Sequence, residues 1–517
     1  MINISLSILA SAMEGKLICH ESLHTCEVNN LVTDSRALMQ EKELQEKELQ
    51  QERSKGAFIA LKGPNFDGHR FVKQVVEKGC QVVIVEQKIA EIDSQKVAQI
   101  IVDDTRIALG KIAHYVKQQV APKTVGITGS SGKTTVKEML AAILSRLGNV
   151  LATEGNFNND IGVPLTLLRL EPHHDFAVIE MGANHIGEIA YTAELVRPDV
   201  AIINNIAAAH LEGFGDLCGV ARAKGEIFSG LSKDGVALYN KDTKYTNKWQ
   251  WRLIDKQVRT FSCANARFTD GPIDADCYSE NIVLDKNGCA QFDMQSSLGR
   301  CVVTLTVPGS HNVCNAVAAA AAAIECGATL NDIQLGLAQM SPVKGRLNIH
   351  HLKATTVSTE IKLIDDTYNA NVESIKAAIV LLAGYSGRRI LVLGDMAELG
   401  SDARSYHQEV GEYAKEQGIN VLLTLGVLSQ NTSDAFALKN EAISEHFNNK
   451  NMLEKCLFSL LTNESNQEQS TQILIKGSRS AHMEYVVEDI INWHEKQQQD
   501  ATNASLISST TNKQDIA

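Results

Sequence analysis

The sequence predicts an α/β fold divided into three domains, and three observations carry that expectation. Its 517 residues exceed what one ordinary core accommodates, since chains divide at roughly 150 residues per domain. Short apolar runs ending in polar residues alternate with amphipathic stretches along most of the chain, as layered α/β structure requires. In the middle stands a strand–glycine loop–helix unit, "KTVGITGSSGKTTVKEMLAAILSRLG".

Residues 1–103 read as a small mixed domain. "GAFIALKG", "CQVVIVEQ" and "QIIVDD" have strand character, and "HRFVKQVVEKGC" between the first two has helical spacing. A tandem repeat, "EKELQEKELQQERSKG", has almost no apolar content and reads as a solvated insertion. Glu43 and Lys47 within it are spaced to pair across one helical turn. Residues 104–341 repeat strand–turn–helix as a parallel sheet does. "KTVGIT", "DFAVIEMG" and "PDVAIINN" are buried strands, and the helix after the first closes at Gly148. Ligands bind beyond the carboxyl ends of strands in open parallel sheets, so Glu180, Asn204 and Asn205 are expected beside the loop at 129–135. Residues 342–496 form a third α/β segment through "IKLIDDTYNA", "RRILVLGDMAELG" and "QILIKGSRSAHME". The polar residues 497–517 are expected to be a disordered tail.

Composition narrows the class. With 44% hydrophobic and 21% charged residues the chain is ordinary for a soluble protein. A net charge of −12 argues against non-specific nucleic-acid binding. The 11 cysteines are scattered with no C-x-x-C, so zinc and dithiol chemistry lack support and buried or idle thiols in a reducing cytosol are expected. The start, "MINISLSILASAMEGKL", has no basic residue before Lys16 and is a poor export signal. The most apolar run, Ala316 to Ile324, is far shorter than the ~20 residues that span a bilayer. A cytoplasmic location is expected.

The glycine loop misses the common pattern G-x-x-x-x-G-K-[ST], because Ile127 stands five places before Gly132. The flanking strand and helix nevertheless supply the context of a phosphate loop. Gly129 and Gly132 let the backbone N–H groups turn inward, and the helix that follows adds its positive end. Gly129, Ser130, Ser131, Gly132, Lys133, Thr134 and Thr135 are therefore candidate ATP-binding residues. Lys133 would reach the β- and γ-phosphates, and the Thr134 hydroxyl would ligate Mg2+. Glu180 ends a buried strand, where an unpaired carboxylate is costly, and a cation at the loop explains its placement better than a structural ion pair. His210, taken alone, reads as a satisfied loop residue.

"TGSSGKTT", "EGNFNNDIGVPLTLL", "VIEMGANHIGEIAYTAELVRPDVAIINNIAAAHLEGFG" and "ARAKGEIFSGL" resemble the Mur ligases of bacterial cell-wall synthesis. "PVKGRLNIH", "DDTYNANVESI", "GDMAELG" and "KGSRSAHME" are similar to the same family in the third segment. The resemblance runs over about residues 1–495 apart from the repeat, and the family's shorter loop, T-G-x-x-G-K-T, accounts for the missed pattern. It implies an N-terminal domain for the UDP-sugar, a central parallel-sheet P-loop ATPase domain and a C-terminal Rossmann-like domain that closes over the nucleotide. The implied reaction joins D-alanyl-D-alanine to UDP-MurNAc-tripeptide, with ATP first phosphorylating the terminal carboxylate. A monomer using two Mg2+ ions is expected.

Carried over by residue, the resemblance makes Lys133, Glu180, His210 and Lys224 the catalytic set. Thr134 and Glu180 would hold one Mg2+ and His210 a second, while Lys224 matches a lysine that some relatives carry as a carbamate. Asn312 and Asn315 would read the adenine, with helix capping the alternative for Asn312. Arg346 and Asp366 would approach the phosphates and ribose. Ser35 and Arg36 of "TDSR", with Lys62, Asp67, Gly68 and His69, resemble a uridine-diphosphate pocket, and Asn158, Asn159 and Asp160 a peptidyl-substrate loop. Tyr368, Asn369 and Asn371 would contact nucleotide or dipeptide, and Lys476, Ser478 and Arg479 the dipeptide carboxylate. The insertion after Arg36 departs from the family's pattern. The family member that adds the third amino acid is the nearest rival, but its D-N-P-R signature is absent; a folylpolyglutamate synthetase would lack the N-terminal domain. A regulatory GTPase would need N-K-x-D, also absent.

Overall fold

The computed structural model describes residues 1–36, 56–63, 66–263, 274–355, 358–437, 442–462 and 470–511, with side chains placed up to residue 499. The EKELQ repeat lies outside the described residues. Four sheets organise the rest, including a small antiparallel pair, Ile4–Ser5 with Glu27–Val28. A five-stranded sheet holds Asn30–Val32, Gly56–Ile59, Val82–Val85 and Ala98–Ile101 in parallel, with Lys16–Ile18 antiparallel at one edge. The predicted helix between the first two apolar runs is split into a 3-10 turn, Gly68–Phe71, and a helix, Val72–Glu77.

The central sheet has nine strands. Lys123–Thr128 lies between Phe176–Glu180 and Val200–Ile203, both parallel to it, with Glu180 opposite Ile127 and Ile203 opposite Thr128. Three strands therefore end at one level. Two antiparallel strands, Cys289–Ser296 and Gly299–Pro308, complete the far edge. They depart from the all-parallel expectation, and "CVVTLTV" shows why. Its burial alternates residue by residue, as in a strand with one solvated face. The six-stranded C-terminal sheet is parallel except for Asn348–Leu352, which pairs antiparallel with Ile361–Asp366.

One apolar cluster runs without a break from Ile4 through the five-stranded sheet to Trp249 in the central unit. The helix Thr105–Val120 joins the two, burying Ala108, Leu109, Ile112, Ala113 and Val116. The C-terminal sheet instead has clusters of its own on its two faces. The terminal helix Glu484–Thr511 covers residues 497–511 of the segment expected to be disordered, where "WHEKQQQDATNA" is rich in residues that favour helix; residues 512–517 lie outside the described residues. One expectation is corrected. The cysteines are not all idle: Cys263, after strand Gln257–Ser262, is bonded to Cys314 in the first turn of helix His311–Glu325. A distant pair brought together by topology leaves no spacing signal.

Candidate active site

Residues 129–132 turn between the strand Lys123–Thr128 and the helix Lys133–Leu144. Gly132 has φ +75°, and a Cβ there would lie 2.4 Å from Asn315 Oδ1 and 2.6 Å from Asn204 Nδ2. Only glycine fits that left-handed, crowded position. The end of the neighbouring strand holds the loop from one side. Asn205 Oδ1 accepts the Ser131 N–H at 2.9 Å, Asn205 Nδ2 donates to the Ser131 carbonyl at 3.1 Å, and Asn204 Nδ2 donates to the same carbonyl at 3.0 Å. Ser130 Oγ donates to the Ala207 carbonyl at 2.9 Å. Asn204 and Asn205 thus stand where the sheet argument placed them.

Lys133 Nζ donates to the Gly129 carbonyl at 2.9 Å. Burial holds its pKa below the usual lysine value, against the attraction of Glu180. Thr134 Oγ1 donates to Glu180 Oε2 at 2.9 Å and accepts from Arg346 Nη2 at 2.9 Å. The other carboxylate oxygen, Glu180 Oε1, accepts from Asn158 Nδ2 at 2.8 Å. Lys224 is fully buried, and among the described residues its ammonium has no hydrogen-bond partner. Burial, reinforced by Lys133, pushes its pKa down to about 7. The ring of Phe214 lies 5.4 Å from it.

Metal fit can be tested on these donors. Among the described residues no three or more His, Cys, Asp or Glu side chains converge, so the protein builds no metal cage by itself. A hydroxyl and a carboxylate together at the mouth of a phosphate loop suit Mg2+, which keeps waters and takes phosphate oxygens as ligands. Thr134 and Glu180 fit that ion. His210 caps the short helix Leu211–Phe214 at φ +54° and pairs through Nδ1 with Glu398 of the C-terminal unit. The orphaned Lys224 ammonium is likewise chemically suited to a carbamate, which would exchange a buried positive charge for a negative one.

Asn312 Nδ2 donates to the Pro308 carbonyl at 2.6 Å, and Asn315 Nδ2 donates to Asn312 Oδ1 at 2.8 Å. The network continues through Asn315 Oδ1, which accepts from Asn204 Nδ2 at 3.0 Å. Ser310, not Asn312, occupies the helix cap, so the capping alternative fails. Both asparagines line a cavity of about 600 Å³ between the central and C-terminal units, together with Gly132, Arg346, Asp366 and Lys476. That volume suits a small-molecule ligand. Arg346 lies 4.2 Å over the ring of Tyr368. Asn371 caps the helix Val372–Ala383, and its Nδ2 reaches the Ser130 carbonyl at 3.5 Å.

Several candidate substrate residues have internal partners. Lys476 Nζ donates to Asp366 Oδ2 at 2.5 Å and to the Asn369 carbonyl at 2.9 Å, and is buried. The pairing follows from the register that sets Asp366 opposite Lys476, and Lys476 also lines the cavity. Arg479, more exposed, pairs with Glu484 at 2.8 Å. Ser478 donates its N–H to the Asp395 carbonyl at 3.0 Å. Asn159 Oδ1 accepts from the Gly162 N–H at 2.7 Å, and Asp160 pairs with Arg106 at 2.8 Å. Ser35 and Arg36 follow the end of strand Asn30–Val32, and Lys62 that of its parallel neighbour Gly56–Ile59. Arg36 pairs with Asp34 at 2.7 Å, and the His69 ring bridges Asp67 Oδ1 at 2.7 Å and the Glu86 N–H at 3.0 Å. Thr135 too lines the cavity.

Two residues were missed. Lys137 is buried on the apolar side of its helix and donates to the Thr153 carbonyl, while Thr153 Oγ1 accepts the Glu180 N–H at 3.0 Å. A lysine among Val136, Met139, Leu140 and Ile143 was the available signal. Glu398 had none, because its partner is almost 190 residues distant.

A phosphate loop, a strand-end carboxylate and an arginine delivered from a second sheet define a nucleotide-using enzyme of the P-loop ligase kind. The Mur ligase middle domain matches residues 127–323, the Mur ligase glutamate ligase domain residues 345–479, and the Mur ligase family catalytic domain residues 53–117. The chain is 48% identical to the UDP-N-acetylmuramoyl-tripeptide–D-alanyl-D-alanine ligase of Escherichia coli K12, over 83% of this chain and 89% of that one. It is 43% identical to the enzyme of the same name from Haemophilus influenzae, over 94% and 98%. A crystal structure of MurF from Acinetobacter baumannii superposes with a TM-score of 0.82 at 37% identity, covering 95% of this chain and 99% of that one. The chain belongs to the Mur ligase family and is an ATP-dependent ligase. Among the described residues no helix is long and apolar enough to cross a membrane.

Proposed function

We propose that the chain joins D-alanyl-D-alanine to UDP-N-acetylmuramoyl-tripeptide at the expense of ATP, and that residues 129–135 with Glu180 and Arg346 are where the carboxylate is activated. The observation that carries this reading is Thr134 Oγ1, hydrogen-bonded to both Glu180 and Arg346. A carboxylate is a poor electrophile, so its oxygen first attacks the γ-phosphorus, releasing ADP and forming an acyl phosphate. The dipeptide amine then attacks the acyl carbon, forming the amide and releasing phosphate.

Two anions meet in the first step, and the chain supplies fixed positive charge against their repulsion. Lys133 and the loop N–H groups hold the phosphates, and Arg346 adds a guanidinium from the opposite wall. Mg2+, when bound through Thr134 and Glu180 with His210 toward a second ion, would screen phosphate charge. Lys224, desolvated and unpaired, is suited to carbamylation, which would give the site a further anionic ligand. Asn158 steers the Glu180 carboxylate. Asn312 and Asn315 form the base-side wall of the cavity, and Asp366 with Lys476 its floor. Ser35, Arg36 and Lys62, at the carboxyl edge of the N-terminal sheet, are placed for the uridine diphosphate, with Asn159 and Asp160 shaping the peptide path. Tyr368, Asn369 and Arg479 lie on the dipeptide side.

The test is phosphate release from ATP by the whole chain. Release that requires both UDP-MurNAc-tripeptide and D-alanyl-D-alanine is expected, whereas release indifferent to the dipeptide would sink the ligase reading. Loss of turnover in Lys224→Ala, restored by short carboxylates, is the matching test of the carbamate.

A further inference from the structure

We propose that Glu398 is a positioning residue for His210, reaching it from the C-terminal unit so that the histidine is oriented only when the two units are together. The inference rests on the reading of His210 as a metal ligand. Glu398 makes an ion-pair contact with His210 Nδ1, so Nε2 is the ring nitrogen that remains for a ligand. A carboxylate on the second nitrogen fixes the tautomer and ring plane of a ligating histidine and raises its basicity. Neither residue sits in relaxed backbone: His210 has φ +54° and Glu398 φ +61°. Left-handed conformations at two non-glycine residues that meet across a domain contact are held by their surroundings.

The loop bearing Glu398 is braced for that presentation. The Asp395 carboxylate accepts the N–H groups of Val427 at 2.9 Å and Ser429 at 2.8 Å. His407 Nε2 accepts the Met396 N–H at 3.1 Å. Met396 and Leu399 are buried on either side, and Glu398 projects between them. An ion pair as exposed as this one adds little to stability, so stability does not account for the bracing. Orientation of His210 does. His210 in turn meets the Phe214 ring edge-on at 6.2 Å, and the same ring lies beneath Lys224.

The experiment measures Mn2+ binding to the full chain in the presence of a non-hydrolysable ATP analogue, by electron paramagnetic resonance. It compares wild type, Glu398→Ala, Glu398→Gln, His210→Ala and the double alanine variant, with melting curves for each. Glu398→Ala is expected to weaken Mn2+ binding about tenfold, in the range found for lost outer partners of metal ligands. Glu398→Gln, which keeps size and one acceptor, should weaken binding by more than twofold but less than the alanine variant, and serves as the measure should the alanine variant fold poorly. In the His210→Ala background the second substitution should change nothing further. If His210→Ala itself leaves Mn2+ affinity intact, the metal reading of His210 fails and the proposal with it. If His210→Ala weakens binding while both Glu398 variants stay within twofold, or if the two effects add, the proposal alone is overturned.

Discussion

The carboxyl edges of the central and C-terminal sheets carry similar residues and handle their charge in opposite ways. On the C-terminal edge Asp366 and Lys476 stand opposite each other in register and pair at 2.5 Å. Burial raises the Asp366 pKa, and Lys476 opposes that rise. On the central edge, among the described residues, Lys133 donates to a carbonyl and Lys224 has no hydrogen-bond partner, while Glu180 is held by Thr134 and Asn158. One edge pairs its buried charges directly, whereas Lys133 and Lys224 on the other have no carboxylate at hydrogen-bonding distance among the described residues. Buried charge without a direct partner is expensive, which suits the central edge to an incoming anion.

The widest gap between the edges should appear in Lys133→Met. Phosphate release dependent on the tripeptide is expected to fall by about 100- to 1000-fold, the cost of removing a fixed donor to developing charge, with the melting temperature little changed. A fall below tenfold would break the contrast. On the other edge, Asp366→Asn should lower unfolding free energy by about 3 kcal/mol, because it strands Lys476 in a buried site. Adding Lys476→Met should recover much of that loss in denaturant titrations.

The third test separates the edges by pH. The Lys224 pKa falls from 10.5 unfolded to about 7 folded, so the unfolded chain binds the extra proton between those values. Stability should therefore rise with pH across that window, by about 2 kcal/mol between pH 7 and 9 in CO2-free buffer. Lys224→Met should lack that rise, and an unchanged slope would remove the unpaired ammonium from the account. The smallest effect belongs to the contact between the edges. Asn371→Ala should cost about 1 kcal/mol through the lost helix cap, visible as a small drop in melting temperature.

The central unit was the most legible part, because local features specify it. A strand, two glycines and an amphipathic helix are contiguous, and Glu180 could be placed from strand length alone. The antiparallel strands at residues 289–308 were legible only in part, since "VTLTV" alternates apolar and polar residues but "CVV" before it does not, and the parallel pattern before them masked the change of period. The C-terminal candidates were found by resemblance, and their partners were not found at all. Lys476 is a buried charge whose meaning depends on strand register, and Glu398 on a contact between separate units. The Cys263–Cys314 bond belongs to the same class. In the tail, polarity points to disorder while Glu, Lys, Gln and Ala favour helix, and the helix extends to Thr511.

The unbroken apolar cluster from Ile4 to Trp249 has a consequence for selectivity. Packed side chains transmit displacement instead of absorbing it, and Arg106–Asp160 adds a polar tie across the same junction. The N-terminal and central units therefore behave as one body, and the span from the residues proposed for uridine diphosphate to the phosphate loop is a fixed gauge. On the function proposed above, such a gauge would set the length of peptide whose carboxylate meets the phosphate loop, while the C-terminal sheet, with clusters of its own, stands outside it.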